Sequence, residues 1–165
     1  MSNLRFEPYT ILSADLGENN PLPDIKNIEY IHAGYEMTDN IKNEEKTYIG
    51  KGMVSTILPY QQQDNYNRDR KPREFNAAIL ENKHLRAVFL PELGGRLWSL
   101  FHKGLKRELL YKNSVFQPGN LALRNAWFSG GVEWNACIKG HSPYTCAPLF
   151  AQKLEYEDGS VALRM

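Results

Sequence analysis

Along this chain the arrangement of apolar and polar positions changes near residue 46. Residues 1–45 show no sustained hydrophobic period, and Asn19-Asn20-Pro21-Leu22-Pro23-Asp24 interrupts any regular element. The pattern predicts an irregular N-terminal arm over 1–45, with a short helix or a loosely attached strand at 25–35. From residue 46 the pattern is that of strands. Residues 47–58 are rich in β-branched side chains, and 75–81 and 84–90 flank the turn Glu81-Asn82-Lys83 as a hairpin. A second hairpin is predicted from 96–101 through His102-Lys103-Gly104 to 108–111. A third joins 154–156 to 161–165 through Glu157-Asp158-Gly159-Ser160. Ala87, Val88, Phe89 and Leu90 put apolar groups on both faces, which suits a central strand packed between layers.

The run from Gln61 to Arg73 has no aliphatic residue and follows Pro59, so it is predicted to be a surface loop, either a solvated connector or a partner-binding segment. No repeat and no long amphipathic helix is present. The fold class is all-β, an antiparallel β-sandwich over 46–165. The final residues, 161–165, read as the middle of a strand, and large sandwiches often need roughly 200–250 residues. The expectation is therefore the N-terminal portion of a larger sandwich, with an open sheet edge available for self-association.

Composition narrows the partners. Twenty Lys and Arg against nineteen Asp and Glu leave a net charge of +1, too weak a field to hold a nucleic-acid backbone. No run of eighteen apolar residues predicts a membrane span, and the first residues carry no export signal. The two cysteines, Cys137 and Cys146, cannot build a disulfide framework and are expected as reduced thiols of a cytoplasmic protein.

Two stretches carry candidate chemistry. In the first, Pro91 ends a strand, Gly94-Gly95 permits a tight turn, and Arg96 and Trp98 then fall on one face of the next strand about 7 Å apart. A guanidinium beside an indole can hydrogen-bond to and stack on a sugar ring. The alternative is structural: Arg96 pairs with Glu92 or a neighbouring strand, and Trp98 fills core. The second stretch holds Arg124, Asn125, Trp127, Ser129-Gly130-Gly131, Glu133, Trp134, Asn135 and Gly140-His141-Ser142. If 132–136 is extended, Glu133 and Asn135 share a face and Trp134 takes the other. A polar floor with aromatic walls suits a ligand rich in hydroxyls, whereas the structural alternative is a buried Glu133–Arg124 ion pair. No two ligands have the spacing of a zinc site, so neither a metal nor another cofactor is expected. Cys146 and His141 could form a nucleophile–base pair, but no third orienting group is placed by spacing, and a buried thiol is the commoner fate of such a cysteine. His32, His84 and His102 receive no role.

The segments Leu80-Glu81-Asn82, Leu90-Pro91-Glu92-Leu93-Gly94-Gly95-Arg96-Leu97, Trp127-Phe128-Ser129-Gly130-Gly131-Val132-Glu133-Trp134-Asn135 and Gly140-His141-Ser142-Pro143-Tyr144-Thr145 occur in an order that resembles the N-terminal part of a bacterial family, domain of unknown function 5107. The resemblance runs from about residue 47 to the last residue. Members of that family often continue into helical tetratricopeptide-type repeats, so packing on C-terminal repeats is an implied partner. More distantly, the Gly94–Phe101 stretch, the Ser129-Gly130-Gly131 turn and Gly140-His141 are similar to first-half segments of aldose 1-epimerases and hexose-6-phosphate epimerases, the galactose-mutarotase-like supersandwich. That resemblance implies a sugar-binding concave face. Arg96 and His141 match its binding residues, and Glu133 and Asn135 lie beside them. The catalytic His and Glu of those enzymes come from later strands.

The leading expectation is a carbohydrate-recognising module that binds a sugar or oligosaccharide through Arg96, Trp98, Arg124, Trp127, Glu133, Asn135 and His141. Glu133 is the weak candidate for a catalytic group. The alternatives are a glycoside hydrolase or aldose-epimerase-like enzyme in a longer form, and a non-catalytic interaction domain.

Overall fold

The computed structural model describes residues 2–21, 39–46, 62–120, 126–135 and 141–165. The predicted strand at 47–58, the segment at 25–35, Arg124, Asn125, Cys137 and His32 lie outside the described residues. The described residues are mostly β. Their α-helical structure is the four-residue α1 (Asn43–Lys46), and a 3-10 turn spans Pro91–Leu93.

The main body is a curled six-stranded sheet. In chain order its strands are β1 (Asn3–Ser13), β2 (Lys71–Glu81), β3 (Leu85–Leu90), β4 (Arg96–His102), β5 (Arg107–Glu108) and β6 (Val115–Phe116). Their spatial order is β5-β4-β3-β2-β1-β6. A hairpin of β7 (Gln152–Glu155) and β8 (Val161–Arg164) forms a separate two-stranded sheet, with β8 packed against β1 and β2. The pairings are antiparallel except for β1 with β6, where the chain returns alongside Leu12 and Ser13 in the same direction. The sheet is therefore mixed, where the sequence predicts antiparallel pairing alone.

The irregular arm needs correction over its first part. Residues 3–13 pair with β2 along all 11 positions, from Asn3 opposite Glu81 to Ser13 opposite Lys71. Pro8 is accommodated because it lies opposite Asn76, whose N–H turns away from β1 and donates to Glu92 Oε1 at 2.8 Å. At such a pair the backbone groups point outward, so the donor missing from proline costs no ladder hydrogen bond. The long polar loop also ends earlier than predicted, since residues 71–73 belong to β2.

The first and third predicted hairpins form where the pattern places them, while the second returns through the two-residue β5, which shares only Glu108 with the predicted 108–111. β2 and β3 pair through Ala78–Phe89, Ile79–Val88, Leu80–Ala87 and Glu81–Arg86. Asn82 Oδ1 accepts the N–H groups of His84 and Leu85 to close the turn. The pairing of β3 with β4 shifts register between Val88 and Phe89, which places Trp98 as an extra residue between Leu97 and Ser99.

Alternation along β2 and β3 sends Phe75, Ala77, Ile79, Val88 and Leu90 to one face. There they meet Ile11, Leu93, Trp98, Phe116, Ala126, Phe128 and Cys146 in the hydrophobic core. Phe116 touches Phe75 edge-on at 6.3 Å and Phe128 at 4.9 Å between ring centroids, joining the sheet to the segment that carries the candidate site. Because Phe116 is fully buried, Phe116→Ala should cost about 3–5 kcal/mol in urea unfolding. A loss below about 1 kcal/mol would show that this aromatic contact does not hold the segment to the sheet.

Candidate functional site

Two glycine turns bring the site segments onto β4. Gly94 has φ +63°, and a Cβ there would lie 2.6 Å from the Thr145 carbonyl oxygen. Gly131 has φ +67°, and a Cβ there would lie 2.1 Å from the Leu97 carbonyl oxygen. Both positions thus need glycine for its backbone freedom and for the close approach it allows. The approach at Gly131 lets Val132 exchange two backbone hydrogen bonds with Leu97, at 2.9 and 3.2 Å. At the other turn Gly94 N–H donates to Ala147 O and Leu149 N–H to Pro91 O.

Arg96 lies where these segments converge. Its Nη1 donates to the Gly130 carbonyl at 3.0 Å and its Nη2 to Thr145 Oγ1 at 2.7 Å, while the guanidinium carbon stands 3.9 Å from the centre of the Phe128 ring. The residue is only 2% exposed. Burial lowers its pKa, against the negative charge of Glu133, which acts to raise it. Arg96 and Trp98 share the interior side of the sheet, with Trp98 1% exposed and its ring 6.2 Å from that of Phe128. The face predicted to meet a ligand is thus packed interior at both residues. Glu92, considered as a partner for Arg96, instead pairs with Arg73 at 3.6 Å.

Glu133 organises the outer part of the site. Its Oε2 accepts the Trp127 indole N–H at 2.9 Å and faces His141 Nδ1 at 2.6 Å, while Oε1 accepts the Ser142 backbone N–H at 3.1 Å. Asn135 Oδ1 shares that N–H at 3.3 Å, so Glu133 and Asn135 both face Ser142. Trp134 is directed elsewhere and donates to the Gly95 carbonyl at 2.7 Å. The Trp127 and His141 rings are 5.4 Å apart. Glu133 is 9% exposed and His141 40% exposed at their side chains.

The electrostatics follow from this geometry. Burial pushes the Glu133 carboxyl up, but the hydrogen bonds from His141 and Trp127, with the charge of Arg96, outweigh it and hold the pKa below the usual carboxylate value. With Nδ1–H donated to Glu133, the lone pair of His141 lies on Nε2, which can accept a hydroxyl proton. Cys146 is buried, and its Sγ–H donates to the Ala126 carbonyl at 3.3 Å. Burial pushes this thiol up to about 12, against the lowering effect of Arg96, so at neutral pH it is protonated and inert as a nucleophile.

Of the predicted site residues, Trp127, Glu133, Asn135 and His141 come together, Arg96 supports them from beneath, and Trp98 lies in the core. Phe128, Thr145 and Ser142 also shape the site. Their contacts pass through a ring face, a hydroxyl and a backbone N–H, and no spacing in the sequence announces these. A cavity of about 300 Å³ lined by Tyr9, Ile11, Trp98, Lys112 and their neighbours includes none of the four clustered residues.

The family model for a domain of unknown function, DUF5107, matches residues 53–165. The fold is similar to that of a TPR-domain containing protein from Parabacteroides distasonis ATCC 8503, with 20% identity and a TM-score of 0.61. The match covers 95% of this chain and 23% of that one, so the chain spans about a quarter of the length of the protein it resembles. Among the described residues, no helix is long and apolar enough to cross a membrane.

Two outcomes test this geometry. Gly131→Ala should lose about 1–3 kcal/mol from backbone strain alone, and more from the collision with Leu97. A variant as stable as the parent would mean that the Leu97–Val132 contact does not form. Because the pKa of Glu133 is lowered in the folded state, its contribution to stability is complete above the unfolded value of about 4.5 and is lost as pH falls through the folded value. Denaturant unfolding between pH 6 and 3 should therefore show a steeper acid loss for the parent than for Glu133→Gln. Parallel curves would remove the assigned role of the carboxylate.

Proposed function

The chain belongs to the DUF5107 family, and from this premise we propose that it recognises carbohydrate at the cluster of Trp127, Glu133, Asn135 and His141. The carrying observation is the Glu133 carboxylate, fixed by three protein donors and turning His141 Nε2 into a positioned hydrogen-bond acceptor beside an indole ring. A sugar hydroxyl donates to such an acceptor while the C–H face of the ring rests on an aromatic plane. Arg96 acts as a positioning residue: it is buried, and its charge favours the ionised state of Glu133 that orients the imidazole.

This reading extends to the fold, with the sheet as the leading portion of a galactose-mutarotase-like sandwich. In longer relatives the recognition face would stand beside helical repeats, as the TPR domain in the name of the structural neighbour suggests. The function asked of this chain is recognition. Ring opening needs a proton acceptor and a proton donor placed on opposite sides of the reacting carbon, and His141 supplies one such group.

Titration with a panel of monosaccharides and oligosaccharides should change tryptophan fluorescence for at least one member, because Trp127 borders the site. His141→Ala should weaken that response at least tenfold while the protein still folds, its melting temperature lowered by a few degrees because Glu133 loses one of its three donors. A panel without any response, or an unchanged response in His141→Ala, would sink this assignment.

A further inference from the structure

The inner face of the sheet carries a second charged group, at the end remote from Glu133. Arg86 on β3 stands directly opposite Glu81 on β2 and Phe101 on β4. Its guanidinium lies 5.5 Å from the Phe101 ring centre, and its Nε is shielded from solvent with no hydrogen-bond partner among the described residues. Register makes Glu81 the natural counterion, but Glu81 is already engaged. It accepts Arg5 Nη1 on one oxygen and Lys103 Nζ at 2.6 Å on the other.

The other carboxylates on this face are similarly committed. Glu7 takes Arg5 Nε at 2.7 Å. Glu108 accepts the Ser99 hydroxyl on both oxygens, at 2.7 and 2.9 Å, and stands 3.8 Å from Lys112. Arg5, Lys103 and Arg86 therefore share Glu7 and Glu81, leaving one positive charge unmatched among these five residues. The unmatched group is an arginine whose guanidinium lies over an aromatic ring, with a fork of N–H donors of the kind that takes two oxygens of a carboxylate or phosphate.

We propose that Arg86, set over the Phe101 ring and flanked by Lys103, is the anchor of a site for a compact oxyanion, the phosphate or carboxylate group of a small ligand. The anion meets the outer Nη groups of the fork, since Nε is shielded, and balances the charge that Glu81 leaves over. Arg86 and Leu90 are four residues apart on one strand face, and Leu90 pairs with Arg96, so this site lies about 13 Å along the strand from the Arg96 region. It stands or falls separately from carbohydrate recognition at Glu133 and His141.

The probes are inorganic phosphate and, in a second arm, acetate, each titrated into the full chain at pH 7.5 with ionic strength held constant by sodium chloride. At tenfold excess over its Kd, the bound anion should raise Tm by about 3–6 °C. It should also shift the Arg86 Nε–H resonance in ¹H–¹⁵N spectra. A response to phosphate alone assigns a phosphate site, and a response to acetate as well assigns a general oxyanion site. Arg86→Met should abolish both effects. Arg86→Lys, which keeps the charge but loses the fork, should weaken binding at least tenfold. An unmoved Nε–H signal in both arms, or an equal Tm rise in Arg86→Met, would overturn the proposal.

Discussion

A guanidinium taken out of water must be met on each of its faces, and meeting Arg96 organises half of this molecule. Two of its nitrogens reach the Gly130 carbonyl and the Thr145 hydroxyl, and its flat side lies on Phe128. These partners come from two segments, 126–135 and 141–147, so Arg96 ties both to β4 alongside their backbone hydrogen bonds. None of the three carries a full negative charge. The compensating charge is Glu133, close enough to have its pKa lowered by Arg96 and itself fixed by Trp127, His141 and Ser142. Burying a charge costs several kcal/mol unless its surroundings repay it. The outer cluster is therefore an electrostatic extension of the interior one.

The fold was legible wherever two local signals agreed. The hairpins β2–β3 and β7–β8 combine alternating or β-branched runs with short turns of Asn, Asp, Gly and Ser, and they form at the predicted places. β1 was illegible because its signals conflict. Pro8 argues against a paired strand, and Arg5 and Glu7 sit at inward positions where a core strand would carry aliphatic groups. Both objections are answered by long-range facts. Asn76 turns its N–H to Glu92, and Arg5 finds Glu81, 76 residues away in sequence. Single-strand patterning contains neither. The parallel contact with β6 rests on two residue pairs, too short to leave a periodic trace.

The site was legible as a set of residue types more than as an arrangement. Alternation correctly separates Trp134 from Glu133 and Asn135, because that argument needs only an extended backbone. It also puts Arg96 and Trp98 on one face, but it does not say whether that face is wet or dry. The register shift at Trp98 and the arrival of Phe128 from a distant segment decide that the face is interior. Thr145 and Ser142 stayed hidden for a similar reason: one contributes an acceptor hydroxyl and the other a backbone donor, roles open to almost any residue at those positions.

The inner face of the sheet has a consistent electrostatic design. Ile79, Val88 and Leu90 form an apolar middle, with Arg96 and Glu133 toward one end and Arg5, Glu81, Arg86 and Lys103 at the other. The two charged ends stand about 13 Å apart along the strand. Between them Glu108 bonds to Ser99, which stands opposite Val88, and pairs locally with Lys112. At the Arg96 end balance is reached through one carboxylate that also orients a histidine. At the Arg86 end the nearest carboxylate is divided between two other cations, and among the described residues Arg5, Lys103 and Arg86 share only Glu7 and Glu81. The same strand register that pairs Arg86 with Glu81 sets Arg5 and Lys103 within reach of it, so the imbalance is built into the pairing of β1 through β4.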